Sequence, residues 1–169
     1  MRIGFFGLGN MGGPMAANLA RAGHAVTGYD VAGTTAEGVA KAQSAQDAAS
    51  GREVVITMLP NGRILRDVYE EIVDYGDKGA LYIDCSTVDV ESALYAHAKA
   101  RAAGLASLDA PVSGGVAGAA AGTLTFMVGG EEEAFGRGLP LFEIMGQKAV
   151  HCGAAGTGQS AKICNNMIL

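Results

Sequence analysis

Ile3-Gly4-Phe5-Phe6-Gly7-Leu8-Gly9-Asn10-Met11-Gly12 is an apolar, strand-like run that passes directly into a glycine-rich turn. The turn has the pattern Gly7-x-Gly9-x-x-Gly12, and a helical stretch with Ala16 and Leu19 on one side follows it. Glycine permits the tight turn at the first position, close approach of a ligand to the backbone at the second, and close helix packing at the third. The N–H groups at the helix start then face phosphates. This stretch predicts a dinucleotide-binding strand–turn–helix unit.

A second strand-like run, 25–30, ends in Asp30, at the distance of about 20 residues that is typical of the ribose-binding acid in such units. A carboxylate at this position accepts hydrogen bonds from ribose hydroxyls and repels a 2′-phosphate, so we predict NAD as the cofactor. The alternatives are a turn-forming aspartate and a glycine turn without a ligand. The predicted cofactor-binding residues of this unit are Gly7, Leu8, Gly9, Asn10, Met11, Gly12 and Asp30.

Strand-like segments alternate with helical segments along the whole chain. We predict strands at 2–7, 25–30, 53–58, 80–84, 105–109, 124–128 and 148–152. We predict helices at 11–22, 34–43, 63–74, 89–103 and 131–143, with Ser86 or Thr87 capping the fourth. This alternation favours an α/β fold of the Rossmann type, in which helices cover both faces of a doubly wound, mostly parallel sheet. Ligands of such sheets bind at the carboxyl ends of the strands.

Composition and residue spacing argue against nucleic acid, membrane and metal as partners of this chain. The formal net charge of −5 argues against nucleic acid as a partner, since a phosphate-binding surface is normally basic. No apolar run has the length of a transmembrane helix, and no signal peptide precedes the first strand, so we expect no membrane partner and a cytoplasmic, bacterial-like location. The three cysteines form no CxxC pattern and the three histidines have no metal-ligand spacing, so we expect reduced thiols and no metal.

Further candidate residues follow the other strands. Leu59 and Pro60 follow the third predicted strand, and Thr87 follows the fourth, so both segments are expected at the dinucleotide crevice. Ile64 is a further candidate cofactor contact. Helix capping is the alternative role for Thr87, and both roles are compatible.

A serine–glycine loop and a lysine–asparagine pair are the candidate substrate groups. Ser113, Gly114 and Gly115 offer a hydroxyl and two N–H groups that suit a substrate carboxylate, although an ordinary glycine loop has the same composition. Lys162 and Asn166 are four residues apart and therefore share a helical face. A lysine there can act as general acid or base, and the alternative is a solvated surface lysine.

Four blocks together resemble the β-hydroxyacid dehydrogenase family over residues 3–169: GLGNMGGPMAANL, IDCST, DAPVSGG with the following GTLTFMVGG, and GTGQSAKICNNM. The resemblance implies reversible NAD-dependent oxidation of a 3-hydroxy acid to its semialdehyde. Lys162 matches the catalytic lysine of the family, and Asn166 matches a substrate-contacting asparagine. Ser113, Gly114 and Gly115 match the loop that binds the substrate carboxylate. Leu59, Pro60 and Thr87 match cofactor contacts.

The resemblance also implies a substrate and a domain organisation. The segments TFMVGG and AKICNNM resemble the 3-hydroxyisobutyrate branch of the family, and the apolar Val116 suits a methyl-bearing substrate. Both favour 3-hydroxyisobutyrate over tartronate, glyoxylate or succinic semialdehyde as the substrate class. A non-catalytic dinucleotide-binding module is the alternative from another class. We predict an NAD-binding domain with its substrate loop at 1–157, and at 158–169 the first helix of an all-helical domain that is otherwise missing. Family members form oligomers, so a homo-oligomer is expected for the longer protein, and weak NAD binding and turnover for this chain alone.

Overall fold

A computed structural model describes residues 1–168 of the chain, and within them nine strands form one sheet. The strands are β1 (Arg2–Phe6), β2 (Ala25–Tyr29), β3 (Ala40–Lys41), β4 (Val54–Thr57), β5 (Leu81–Asp84), β6 (Ala106–Asp109), β7 (Val112–Ser113), β8 (Leu124–Gly130) and β9 (Gly146–Gly153). The helices are α1 (Gly12–Arg21), α2 (Ala45–Ala49), α3 (Gly62–Ile72), α4 (Val90–Ala102), α5 (Gly115–Ala121), α6 (Glu132–Met145) and α7 (Thr157–Ile168), with a 3₁₀ turn at Val73–Tyr75.

The sheet has the order β3-β2-β1-β4-β5-β6-β8-β7, and β9 pairs with β8. Strands β1 to β6 pair in parallel wherever they are neighbours, and β9 is parallel to β8. Only the pairs β6–β8 and β7–β8 are antiparallel among the described strands. The predicted Rossmann-type, mostly parallel α/β fold is confirmed. The chain moves outward from β1 in both directions, so a crevice opens between β1 and β4 at their carboxyl ends.

The two faces of the sheet are buried against different helices. Alternate residues of one strand point to opposite faces, so Phe5 packs in one cluster with Met15 and Leu19 of α1, whereas Phe6 packs in the other with Leu65 of α3. All of these side chains are at most 2% exposed. Burial of a side chain of this size contributes about 1.5–3 kcal/mol, so each face supplies its own core. This two-sided core holds the strand ends that carry the site.

The predicted helix at 34–43 is wrong. Residues Gly33 and Gly38 adopt left-handed φ values of 75° and 74°, which interrupt a right-handed helix. The chain then runs as the short strand β3 beside β2, and the N–H of Ala42 donates to Gly28 O. Helix α2 begins only after Ser44, whose hydroxyl accepts from the N–H of Asp47.

The predicted cap of the fourth helix is also wrong. Asp89 caps α4 by accepting from the N–H of Ser92, and the Ser86 hydroxyl instead accepts from the N–H of Leu59. In addition, β7 and α5 were not predicted, because β7 has only two residues and the Gly- and Ala-rich sequence of α5 carries little periodic signal. Among the described residues, no helix combines the length and apolar character needed to cross a bilayer.

Candidate active site

A cleft of about 490 Å³ lies at the carboxyl ends of β1, β2 and β4, where the strand order reverses. Nine of the predicted cofactor residues line it: Gly7, Gly9, Asn10, Met11, Gly12, Asp30, Leu59, Pro60 and Ile64. The remaining wall is largely apolar and includes Phe6, Tyr29, Val68 and Ile72. Two predicted residues do not line the cleft. Leu8 is buried beneath the turn, and Thr87 is exposed after β5.

The glycine turn has little space for side chains except at its second glycine. Gly7 has a φ of 92°, and a Cβ there would overlap Met58 O. A Cβ on Gly12 would overlap Gly7 O, so this glycine permits the close contact between α1 and the turn. A Cβ on Gly9, by contrast, would meet no atom of residues 1–168 within 4 Å. The pattern fits a phosphate group lying against Gly9.

The start of α1 supports the same fit. Met11 occupies the N-cap position, and none of the described side chains caps the helix there. The N–H of Gly13 already donates to Gly9 O and Pro14 has no N–H, so the positive end of the helix dipole is the main feature that favours an anion here. The cleft can therefore hold a pyrophosphate at this end.

Asp30 is fixed at the edge of the cleft by two backbone donors. The N–H of Leu8 donates to Oδ2 (2.8 Å), and the N–H of Ala32 donates to Oδ1 (2.8 Å). These bonds orient the carboxylate beside the glycine turn. Leu8 therefore contributes to the site through its backbone, although its side chain is 3% exposed and belongs to the core. A fixed negative charge at this edge suits ribose hydroxyls and disfavours a 2′-phosphate.

A buried polar group lies behind the cleft at the end of β5. The Thr57 hydroxyl and the N–H of Ser86 donate to Oδ1 of Asp84, at 2.8 and 3.1 Å. Oδ2 of Asp84 has no partner among the described residues. Burial raises the pKa of this carboxyl to about 6, and its hydrogen bonds with Ser86 and Thr57 only partly oppose that shift.

The predicted substrate residues lie on the other half of the sheet. Ser113 ends β7 and pairs with Thr125 of β8, and it is followed by the exposed Gly114 and Gly115. Lys162 and Asn166 lie on α7, where Lys162 is half-buried and Asn166 is exposed. None of these five residues lines the cleft at β1 and β4. Both segments pack along β8.

The first turn of α7 is in close contact with β6 and β8. A Cβ on Gly158 would lie 2.7 Å from Asp109 O and would also overlap Met127 O. The Asp109 carboxylate accepts from the N–H groups of Gly156 (2.8 Å) and Gln159 (3.0 Å). These contacts attach the base of the helix that carries Lys162 to the end of β6.

Asp109 also contacts His97, at 2.8 Å between Nε2 and Oδ1. Burial opposes ionisation of this carboxyl, but the hydrogen bonds from His97, Gly156 and Gln159 outweigh it, and the pKa of Asp109 is lowered. The sequence predicts no role for Asp109 or Gln159, because their partners are distant along the chain. No local sequence signal identifies these contacts.

Residues 2–153 match the family model described as the NAD binding domain of 6-phosphogluconate dehydrogenase. A protein of Mycobacterium tuberculosis named probable 3-hydroxyisobutyrate dehydrogenase is 52% identical over 172 residues, which are 99% of this chain and 58% of that protein. A protein of Pseudomonas aeruginosa named NAD-dependent L-serine dehydrogenase is 49% identical, over 99% of this chain and 59% of that protein. The chain thus spans under two thirds of the length of these relatives.

The solved structure of Mycobacterium tuberculosis 3-hydroxyisobutyrate dehydrogenase with L-serine superposes with a TM-score of 0.96, at 52% identity. The superposition covers 99% of this chain and 59% of that one. The cleft geometry, the family model and these relatives agree on NAD as the cofactor. The predicted family and cofactor are confirmed: the chain belongs to the β-hydroxyacid dehydrogenase family and carries its NAD-binding domain.

Proposed function

We propose that the protein is an NAD-dependent dehydrogenase that oxidises 3-hydroxyisobutyrate to methylmalonate semialdehyde, a reaction of valine catabolism. The observation that carries the proposal is that Lys162 and Asn166 lie on one face of α7, whose first turn packs against β6 and β8 of the same sheet that forms the Asp30-edged cleft. Relatives named 3-hydroxyisobutyrate dehydrogenase support the substrate. The free thiols of the three cysteines agree with a cytoplasmic location.

Each proposed role follows from the chemistry of the side chain. Ser113 and the N–H groups of Gly114 and Gly115 bind the substrate carboxylate. Asn166 holds the substrate hydroxyl, and Lys162 Nζ removes its proton and stabilises the developing alkoxide charge. When bound, NAD supplies the hydride acceptor. Asp30 holds the adenosine ribose, with Leu59, Pro60, Ile64 and Thr87 as further cofactor contacts.

L-Serine is a second candidate substrate. One relative is named for its oxidation, and the superposed structure of Mycobacterium tuberculosis was solved with it. L-Serine is also a 3-hydroxy acid, and it differs at the substituent of the neighbouring carbon. The half-exposed Val116 beside the serine–glycine loop favours a methyl over an ammonium group. A comparison of kcat/KM for the two acids, together with tartronate semialdehyde, separates these proposals.

The domain division stays a proposal as well, with the NAD-binding domain at 1–157 and the first helix of an all-helical domain at 158–169. Met167 and Ile168 are 81% and 86% exposed on α7, which supports a covering layer of protein there and association into a homo-oligomer. Because the face of α7 around Asn166 is open to water in this chain, we expect the 169 residues alone to bind NAD weakly and to turn over poorly.

Calorimetric titration of the chain with NAD and with NADP tests the cofactor half of the proposal. NAD should bind more tightly, and Asp30→Asn should reduce that preference by about tenfold, because one charge-assisted acceptor is lost. An unchanged preference in this variant would remove Asp30 from cofactor selection.

Lys162→Ala tests the catalytic half, with the exposed Lys148→Ala as the matched control. In protein that turns over, kcat should fall by about 10²–10⁴-fold in the first variant and stay unchanged in the second, while NAD affinity is retained in both. Equal activity of the two variants would exclude Lys162 as the acid or base. In protein that also contains the proposed all-helical domain, NAD binding without turnover of any of these acids would favour the non-catalytic module.

A further inference from the structure

Gln159 is a fully buried polar residue in the first turn of α7, three residues before Lys162. Its side-chain amide uses both of its ends. Nε2 donates to the carbonyl oxygen of Ser86 (2.7 Å), and Oε1 accepts from the N–H of Val88 (3.2 Å). This pair of bonds joins α7 to the segment that follows β5, across more than 70 residues of chain.

The segment held by Gln159 is also bonded to the cofactor cleft. The hydroxyl of Ser86 accepts from the N–H of Leu59 (2.8 Å), and Leu59 lines the cleft. A continuous set of contacts therefore runs from Leu59 through Ser86 to Gln159. One helical turn then separates Gln159 from Lys162, and residues three apart lie on neighbouring positions of a helix. These contacts therefore connect the helix that carries Lys162 to the cleft.

The backbone of Gln159 is fixed independently of its side chain. Its N–H donates to Asp109 Oδ2 (3.0 Å), and the N–H of Gly156 donates to Oδ1 of the same carboxylate (2.8 Å). Asp109 attaches α7 to β6, whereas the amide of Gln159 attaches α7 to the segment after β5. Without the side-chain amide of Gln159, α7 would keep its hydrogen bonds to Asp109 of β6. It would lose those to Ser86 and Val88, which lie on the side of the cofactor cleft.

We propose that Gln159 is a positioning residue that sets the Lys162 helix against the cofactor cleft through Ser86 and Val88. This inference rests on the proposed function, since the position of Lys162 matters only if Lys162 acts on the substrate. Gln159 itself touches no reacting atom. Its role is to keep the general base and the cofactor in one fixed arrangement, on which a rate acceleration by orientation depends.

The first test measures position and needs no turnover. A nitroxide on Cys164, which is exposed on α7, broadens backbone amide signals by an amount that depends on distance, and Cys152→Ser in all samples prevents a second label. The probes are the amides of Leu59 and Val88. Gln159→Met preserves an unbranched side chain and removes both bonds, so it should change the broadening and speed hydrogen exchange of the Val88 amide, which loses its acceptor, by about tenfold or more. The exposed Gln147→Met is the control and should change neither.

Gln159→Glu distinguishes positioning from space filling. A protonated glutamic acid has one donor and one acceptor where the amide has them, whereas the ionised form lacks the donor. Lowering the pH should therefore restore the parent broadening pattern in this variant and leave Gln159→Met unrestored. If the Met and Glu variants show the same pattern at every pH, the side chain only fills space, and the inference is overturned.

The second test uses turnover of 3-hydroxyisobutyrate. Gln159→Met should lower kcat by about 100-fold, as expected for a small misplacement of a catalytic group, and leave KM for NAD within about twofold. Since poor turnover is already expected of these 169 residues alone, lack of turnover in the parent would leave the test of Gln159 to the nitroxide measurement. A parent-like broadening pattern in Gln159→Met would overturn the inference whatever the activity.

Discussion

Replacement of Asp84 by Asn removes a titratable group that is buried at the carboxyl end of β5, one strand away from the cleft. Asp84 is 2% exposed, and its Oδ2 has no partner among the described residues. Burial raises the pKa of Asp84 from 3.8 to about 6. The Asn side chain is nearly the same size and keeps Oδ1 as an acceptor for Thr57 and Ser86. The variant therefore changes charge with little change in packing.

The size of the effect follows from the shift in pKa. The folded state binds the Asp84 proton more tightly than the unfolded chain does, so this group favours folding in its protonated form. Its contribution is present below pH 3.8 and is lost as the pH rises through about 6. A shift of roughly two pKa units corresponds to about 3 kcal/mol, most of which falls between about pH 4 and pH 7.

Urea unfolding of both proteins at several pH values in this range provides the assay. The free energy of unfolding of the parent, minus that of Asp84→Asn, should fall by about 2–3 kcal/mol from about pH 4 to pH 7. Asp109 and His24 have shifted pKa values too, but they titrate in both proteins and largely cancel in the difference. Asp74→Asn, at an exposed position, is the control. A difference that stays flat across the range would refute the assignment of a raised pKa to Asp84.

Glycine substitutions should separate folding from cofactor binding. Gly9→Ala should change the free energy of unfolding by less than about 0.5 kcal/mol, since its Cβ meets no atom within 4 Å in the described part of the chain, yet it should weaken NAD binding in calorimetry by occupying the cleft. Gly12→Ala should destabilise the fold by about 1–3 kcal/mol or more, because its Cβ overlaps Gly7 O; equal stability of the two variants would contradict this reading. Gly158→Ala should likewise lower the unfolding midpoint in urea, since its Cβ would press on Asp109 and Met127, and a parent-like midpoint would show that α7 can move away at no cost.

The sequence predicts the fold well wherever the pattern is local. Apolar runs such as Val54–Thr57 are strands because both faces of a parallel sheet are buried. A helix was predicted at 34–43 because Ala, Glu and Lys favour one. Gly33 and Gly38 instead take left-handed conformations, which composition alone does not reveal. Pairing with β2 then decided the conformation of Ala40 and Lys41. Tertiary contacts override local propensity in such short segments.

At the candidate active site, too, local patterns were predictable and contacts between distant residues were not. The spacing of Gly7, Gly9, Gly12 and Asp30 predicted residues that line one cleft, because a single strand–turn–helix–strand unit carries all of them. The role of Gln159 was not predicted, since its partners lie in a segment that is remote along the chain. Long-range contacts of this kind become visible only when the sheet order is known. The assigned roles of Lys162 and Ser113 stay predictions until turnover is measured.

The contacts at the base of α7 also have a consequence for the order of folding. The bonds of Gln159 close loops of 73, 71 and 50 residues, to Ser86, Val88 and Asp109. Closing a long loop costs chain entropy before any contact compensates it, and contacts between distant residues slow folding. We therefore expect β1, α1 and β2 to acquire protected amides early in refolding, and α7 to dock last. The helix that carries the proposed general base would then be the last part of the domain to become ordered and the first to open.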